Sequence, residues 1–379
     1  MQKKIIALAV AGLMSGAAFA QSNVTISGLM RMSVEQYKLN SVVAGSQASA
    51  ENRVSDQSSM LVFSGKEDLG GGMYAGFVLD SRVGSDVTGV SAATGQTGNT
   101  LVSGNSNMHL GGNWGRVAVG RQDLHYGTAI ESYKAYTLQN ILSNGIFAQM
   151  GTGASIANAT RTPNVIMYDS PNMSGFSGRL AVSTSWNAAA AAPGANEGTG
   201  KRLVGAADPG KGSATNLALN YANGPIKAGY SYWRATVEGG KTAAAGDQRG
   251  DTLQFGYTFP MGVAVGLGWN KSKQDFTTGE ISRTAWVLPI SYTFGANQVA
   301  FTYAKAGNTS TIADSGASAY TLAYGYSLSK RTNIGVSYSK MDNKSGGSYD
   351  LFGLAANGAT GTAAGEDSSQ FAVNMNHSF

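Results

Sequence analysis

A two-residue hydrophobic period running the length of the chain sets the strongest limit on its fold. In residues 253–259, Leu253, Phe255, Tyr257 and Phe259 alternate with Gln254, Gly256 and Thr258. Val263, Val265, Leu267 and Trp269 continue the pattern, as do Trp286, Leu288, Ile290, Tyr292 and Phe294. Tyr320, Leu322, Tyr324 and Tyr326 repeat it, and so do Phe371, Val373 and Met375 near the end. Successive side chains of a strand point to opposite faces, so each segment has one apolar, aromatic face and one small or polar face. A helix would need its apolar residues three and four apart. The chain is therefore expected to be all-β. A soluble sandwich with a shared core and a membrane barrel with a lipid face both satisfy the alternation.

The connectors separate these two. Seven are short and rich in turn-forming Gly, Asn and Pro: 67–72 (EDLGGG), 113–115 (NWG), 171–175 (PNMSG), 223–225 (NGP), 260–262 (PMG), 295–297 (GAN) and 329–333 (SKRTN). Eight are long, near 39–53, 84–104, 122–160, 187–213, 237–250, 272–281, 306–317 and 342–367. Seven turns and eight loops in alternation join sixteen strands, with turns on one rim and loops on the other. That is the layout of an outer-membrane barrel. Aromatics gather just before the short turns, as Tyr168, Tyr221, Tyr257, Phe259, Tyr292, Phe294 and Tyr326 do, at the height of an interfacial girdle. About eight strands close on an interior filled by side chains, whereas 16–18 leave an aqueous channel. The expected fold is a 16-stranded antiparallel transmembrane β-barrel with short periplasmic turns and long extracellular loops.

Composition agrees and removes other classes. Only 13% of the residues are charged, and 52 of 379 are Gly. Soluble domains carry about 25% charge, but half of each barrel strand meets hydrocarbon. The absence of Cys excludes a disulfide framework and zinc–thiolate chemistry. With 42% hydrophobic residues the chain is not disordered, and its scattered net charge of +5 is no nucleic-acid footprint. Residues 1–20 (MQKKIIALAVAGLMSGAAFA) have a basic start at Lys3 and Lys4, an apolar stretch at 5–14 and a small-x-small end at Ala18-Phe19-Ala20. They read as a cleaved signal peptide, too short to span a bilayer. The barrel domain is then 21–379, and loss of the two lysines takes the charge from +5 to +3.

At the level of motifs the chain resembles the Gram-negative general porins, in particular the betaproteobacterial branch. The resemblance covers nearly all of 21–379. It rests on Val24-Thr25-Ile26-Ser27-Gly28, on residues 63–72 (FSGKEDLGGG), on 115–122 (GRVAVGRQ) before the third loop, and on 161–175 (RTPNVIMYDSPNMSG) after it. The resemblance implies a homotrimer of barrels in outer-membrane lipid and lipopolysaccharide, and a third loop, about 122–160, folded inward as a constriction. It implies passage of small hydrophilic solutes and ions, with no cofactor. Phe379 corresponds to the aromatic that the barrel-assembly machinery reads.

The resemblance also assigns a charged constriction. Arg161 matches a basic wall residue, Asp80 an acidic one, and Arg82 lies on the same face as Asp80. Arg31 is on the small-residue face of the first strand, and Arg121, Asp123, Glu131 and Lys134 flank or lie within the third loop. Met60 and Ser106 stand where family members often carry further arginines, and the acidic pair familiar in the third loop is not recognisable; the wall arginines and the sparse acids of the loop make a weak anion preference the expectation. No metal-ligand spacing exists among His109, His125 and His377. His109 and His377 are expected near a rim or on the lipid side, and His125 as a solvated loop residue. A passive channel is thus expected and an enzyme is not. A substrate-specific channel on the same barrel is the alternative, and a barrel hydrolase or adhesin a more distant one.

Overall fold

The computed structural model describes residues 23–40, 50–57, 59–85, 102, 104–125, 161–184, 212–237, 241–243, 246–349, 351 and 363–379. The segment 1–20 and most of the third loop, with Glu131 and Lys134, lie outside them.

The chain folds into consecutive antiparallel strands: β1 (Asn23–Asn40), β2 (Ala50–Asp56), β3 (Met60–Gly70), β4 (Met73–Arg82), β5 (Ser106–Gly112), β6 (Gly115–Asp123), β7 (Arg161–Asp169), β8 (Phe176–Ser183) and β9 (Gly212–Asn223). The second half comprises β10 (Ile226–Val237), β11 (Asp247–Thr258), β12 (Val263–Phe276), β13 (Gly279–Phe294), β14 (Asn297–Ala306), β15 (Ala317–Ser327), β16 (Thr332–Asn343) and β17 (Asp367–Ser378). Each strand from β3 onward pairs with the next, and β1 pairs with β17, from Leu29↔Ser378 to Asn40↔Asp367. The sheet is therefore a closed ring. Seventeen ladder segments make sixteen wall positions, because β2 and β3 both pair with β1, through Val34↔Val54 and Ser27↔Val62. They are one wall position whose ladder breaks between Asp56 and Met60.

The two faces follow the sequence alternation. Val34, Leu253, Phe255, Leu267, Leu322 and Val373 are exposed on the outside, where lipid would cover them. Their neighbours Ser33, Thr252, Gln254, Gly268, Thr321 and Asn374 are buried on the inside. The seven short turns lie where the sequence places them. The connector expected at 272–281 does not. β12 and β13 run through it and leave two residues between Phe276 and Gly279, because Lys273↔Ser282 and Asp275↔Glu280 continue the ladder. Lys273 also pairs with Glu280 at 2.8 Å. Polar composition there marks a ladder above the membrane rather than a loop.

Candidate functional site: a charged inner wall

The interruption between β2 and β3 is where the site begins. Asp56 accepts the Ser59 N–H at 2.7 Å, and Ser59 Oγ accepts the Arg31 N–H at 2.9 Å. The Gln57 N–H donates to the Arg31 carbonyl, and the Arg31 guanidinium reaches back to the Gln57 carbonyl at 3.4 Å. A short polar turn thus takes the backbone out of the ladder and seats a guanidinium beside it.

On β4, Arg82 Nη2 donates to Asp80 Oδ2 at 2.7 Å, with both side chains largely buried, at 13% and 6% exposure. Asn105, just before β5, ties this pair to the end of β6. Its side chain donates to Asp123 Oδ2 at 2.8 Å and accepts the Asp123 N–H at 2.6 Å, while its carbonyl accepts the Asp80 N–H at 3.0 Å. Arg161, the first residue of β7, is the register partner of Asp123. It lies within electrostatic reach of Arg82, Asp123, Arg121 and Asp80. Arg31 is similarly close to Arg82 and Asp56.

The structure therefore gathers six of the eight expected charges, Arg31, Asp80, Arg82, Arg121, Asp123 and Arg161, in one cluster on the wall from β1 to β7. Asp56 joins them. Four guanidiniums face three carboxylates. Arg31 Nε, Arg121 Nε and Asp80 Oδ1 make no hydrogen bond among the described residues.

A second group follows toward the short turns. Asp169 takes Arg116 Nη2 at 2.7 Å and Arg179 Nε at 2.6 Å, and Arg179 Nη1 reaches the Asp123 carbonyl at 3.2 Å. Below it a cavity of about 770 Å³ is lined by residues including Lys66, Tyr74, His109 and Arg116. The Lys66 ammonium sits 4.2 Å from the Tyr74 ring centroid, and His109 meets Tyr74 edge-on. Of the two placements expected for His109, near a rim or on the lipid side, the structure gives the rim: the residue lies close to the 113–115 turn and faces inward, because its register partner Ala118 is fully buried on the inner face. The other inner wall, from β9 to β17, is largely neutral. It presents Asn216, Ser231, Gln254, Asn270, Thr302 and Ser339, with Arg283 the buried cation there among the described residues.

The third loop begins by turning inward. Leu124 and His125 are fully buried, and the His125 ring stacks on Trp233 with centroids 6.4 Å apart. Its Nδ1 is 2.9 Å from Ser231 Oγ and its Nε2 is 3.3 Å from Thr252 Oγ1. Asn216 donates to Ser231 Oγ and Asn270 to Thr252 Oγ1. A neutral imidazole with its proton on Nε2 then satisfies both contacts. Burial pushes the His125 imidazole down to about 3. His125 is not the solvated loop residue that sequence suggests; a pocket on β10 and β11 desolvates it. Its contact with Ser231 is sealed, which denies a substrate access to either group.

Sequence reasoning misses Asp56, Asn105, Asp169 and Arg179. Strand parity places Asp169 and Arg179 on the inner face and could have found them. Asp56 and Asn105 lie at breaks in the ladder, where parity gives no guide.

Known proteins share this architecture. The family model of the Gram-negative porins matches residues 7–347. Outer membrane porin protein 32 of Delftia acidovorans is 30% identical over 391 aligned residues, covering all of both chains. An outer membrane porin protein of Bordetella pertussis is 26% identical over 88% of this chain and 92% of its own. Among solved structures, the anion-selective porin from Comamonas acidovorans superposes with a TM-score of 0.71 at 25% identity, over 95% of this chain and all of that one. A closed sixteen-strand wall, a charged inner face and these matches meet in one conclusion: the chain belongs to the Gram-negative porin family.

Proposed function

We propose that this porin is a passive diffusion channel with a weak anion preference, set by the arginine-rich wall. The observation that carries the preference is the cluster of four arginines, Arg31, Arg82, Arg121 and Arg161, with three carboxylates, Asp56, Asp80 and Asp123, around the root of the third loop. Lumen charge filters passing ions by sign. The anion-selective relative from Comamonas acidovorans supports this reading. The third loop, about 122–160 with Glu131 and Lys134, narrows the pore from its docking point at His125. The signal peptide 1–20 is removed on export. The barrel is inserted by the assembly machinery through the strand ending in Phe379, and it forms a homotrimer within outer-membrane lipid and lipopolysaccharide. The chain performs no catalysis.

Reversal potential under a salt gradient tests the preference. Wild-type channels should reverse on the anion side, and Arg161→Ala should move the reversal toward cations. An unmoved potential removes Arg161 from the filter, and a cation-selective wild type overturns the reading. The cavity beside Lys66, Tyr74 and His109 favours a second reading, in which one class of small anion is preferred. Saturable flux of one carboxylate in liposome swelling, with linear flux of neutral sugars, would distinguish it.

A further inference from the structure

Glu35 is a buried carboxylate that stands apart from the charge cluster. It lies on β1 four residues beyond Arg31, about 13 Å along the strand on the same inner face. Its side chain is 0% exposed, and donors from β1, β2 and β17 surround it. Oε1 accepts Arg53 Nε at 2.5 Å and the Ser55 hydroxyl. Oε2 accepts the Gln370 amide, the Ser33 hydroxyl at 3.4 Å and the Gln57 amide at 3.4 Å. Gln57 donates more closely to Ser33 Oγ, at 3.0 Å, and Ser33 passes that contact on to Glu35. Arg53, the register partner of Glu35, is held in turn over the Tyr37 ring, 5.1 Å from its centroid.

Gln57 is where this group of side chains meets the charged wall. Its side chain is anchored on Glu35 and Ser33, while its backbone N–H and carbonyl both bond to Arg31. The charges acting directly on Arg31 are those of Arg82 and Asp56. Glu35 therefore reaches Arg31 through one residue, in the turn where the chain leaves the β2 ladder. Without the Glu35 side chain, Gln57 would keep only Ser33 Oγ, itself a donor to Glu35.

We infer that Glu35 is a positioning residue for ion selectivity: through Gln57 it holds the turn that seats the Arg31 guanidinium on the pore wall. This role rests on Arg31 belonging to the ion filter. Charge and position can be separated because two substitutions remove the same negative charge. In Glu35→Gln the carboxamide oxygen stays with Arg53 and Ser55, which need an acceptor, and the amides of Gln57 and Gln370 can turn their oxygens to its NH2. The anchor survives. In Glu35→Ala it is lost.

Reversal potential of the purified channel in planar bilayers under a salt gradient tests the role. Glu35→Gln should reverse with wild type or further on the anion side, as loss of a carboxylate alone dictates. Glu35→Ala should instead move toward cations, in the direction of Arg31→Ala. Combined with Arg31→Ala, the two substitutions at position 35 should reverse alike, because the residue they act through is gone. Equal potentials for Glu35→Ala and Glu35→Gln in the presence of Arg31 overturn the inference, and so does a difference that persists in its absence. If Arg31→Ala itself reverses with wild type, Arg31 leaves the filter and this role of Glu35 falls with it. Should Glu35→Ala fail to fold, Gln57→Ala changes no charge and serves in its place. It should move the reversal toward cations with Arg31 present and leave it unmoved on Arg31→Ala; any other pattern refutes the link.

Discussion

A buried guanidinium deprived of its carboxylate is costly, and that makes Asp80 informative. Asp80→Asn leaves Arg82 without its 2.7 Å ion pair in a largely buried position. Removing one partner of such a pair costs about 3 kcal/mol. The variant should unfold at lower temperature and also reverse further on the anion side. A lower melting temperature with an unchanged reversal potential would make the pair structural only. His125 offers a second test at this scale. A Cβ at Gly250 would lie 2.7 Å from His125 Nε2, so the glycine makes room for the ring. Gly250→Ala should displace the imidazole, cost about 1–3 kcal/mol by overpacking, and change single-channel conductance. The docking also depends on pH. The folded value is depressed from 6.5 to about 3, so the unfolded chain binds the extra proton. The stability contributed by docking is full above pH 6.5 and declines as pH falls toward 3, by up to about 1.4 kcal/mol per unit. Unfolding temperature should therefore drop across that window more in wild type than in His125→Phe. Equal slopes would refute the assignment.

Among the strands, the step from β6 to the third loop decides how the charges are presented. The β6–β7 register shifts between Gly120 and Gln122, with Gly120 at φ 140° and the facing Asn164 at φ 53°. A Cβ at Gly120 would fall on the Ser106 carbonyl oxygen. Gly120→Ala should straighten or break this irregularity, lower stability by more than about 1 kcal/mol, and alter selectivity through Arg121 and Asp123. Stability and reversal potential measured together check it. Irregularities of this kind also mark where sequence stops being readable. Period 2 assigns Arg31, Asp80 and Arg82 to the inner face directly, because their strands keep phase with the apolar residues outside. It cannot place Asp56 or Asn105, whose position depends on hydrogen bonds made after the ladder ends. Nor does it foresee the length of β12 and β13 beyond the membrane, since strands in water lose the apolar marker that announces them. Their pairing is held by cross-strand charges such as Lys273 and Glu280 instead.

For the molecule as a whole, the asymmetry of the walls gives the clearest expectation. Charge lines β1 to β8 inside, and cations ring β10 to β16 outside. A homotrimer that places the outer face of β1 to β9 between subunits would conduct through three separate pores. Purified protein should then close in three equal steps under high voltage, and a single step would deny the trimer. The closing pair bears differently on how such a wall is made. Sixteen antiparallel pairings in a ring are not independent choices. A slip by one residue in any hairpin would carry round to β1 and β17 and set Leu29 opposite the wrong face of the last strand. Only a set of registers whose offsets add to the value accepted by that seam can close. The joint between Leu29 and Ser378 therefore acts as a checksum on the entire chain, and a barrel that closes there carries no single uncompensated slip.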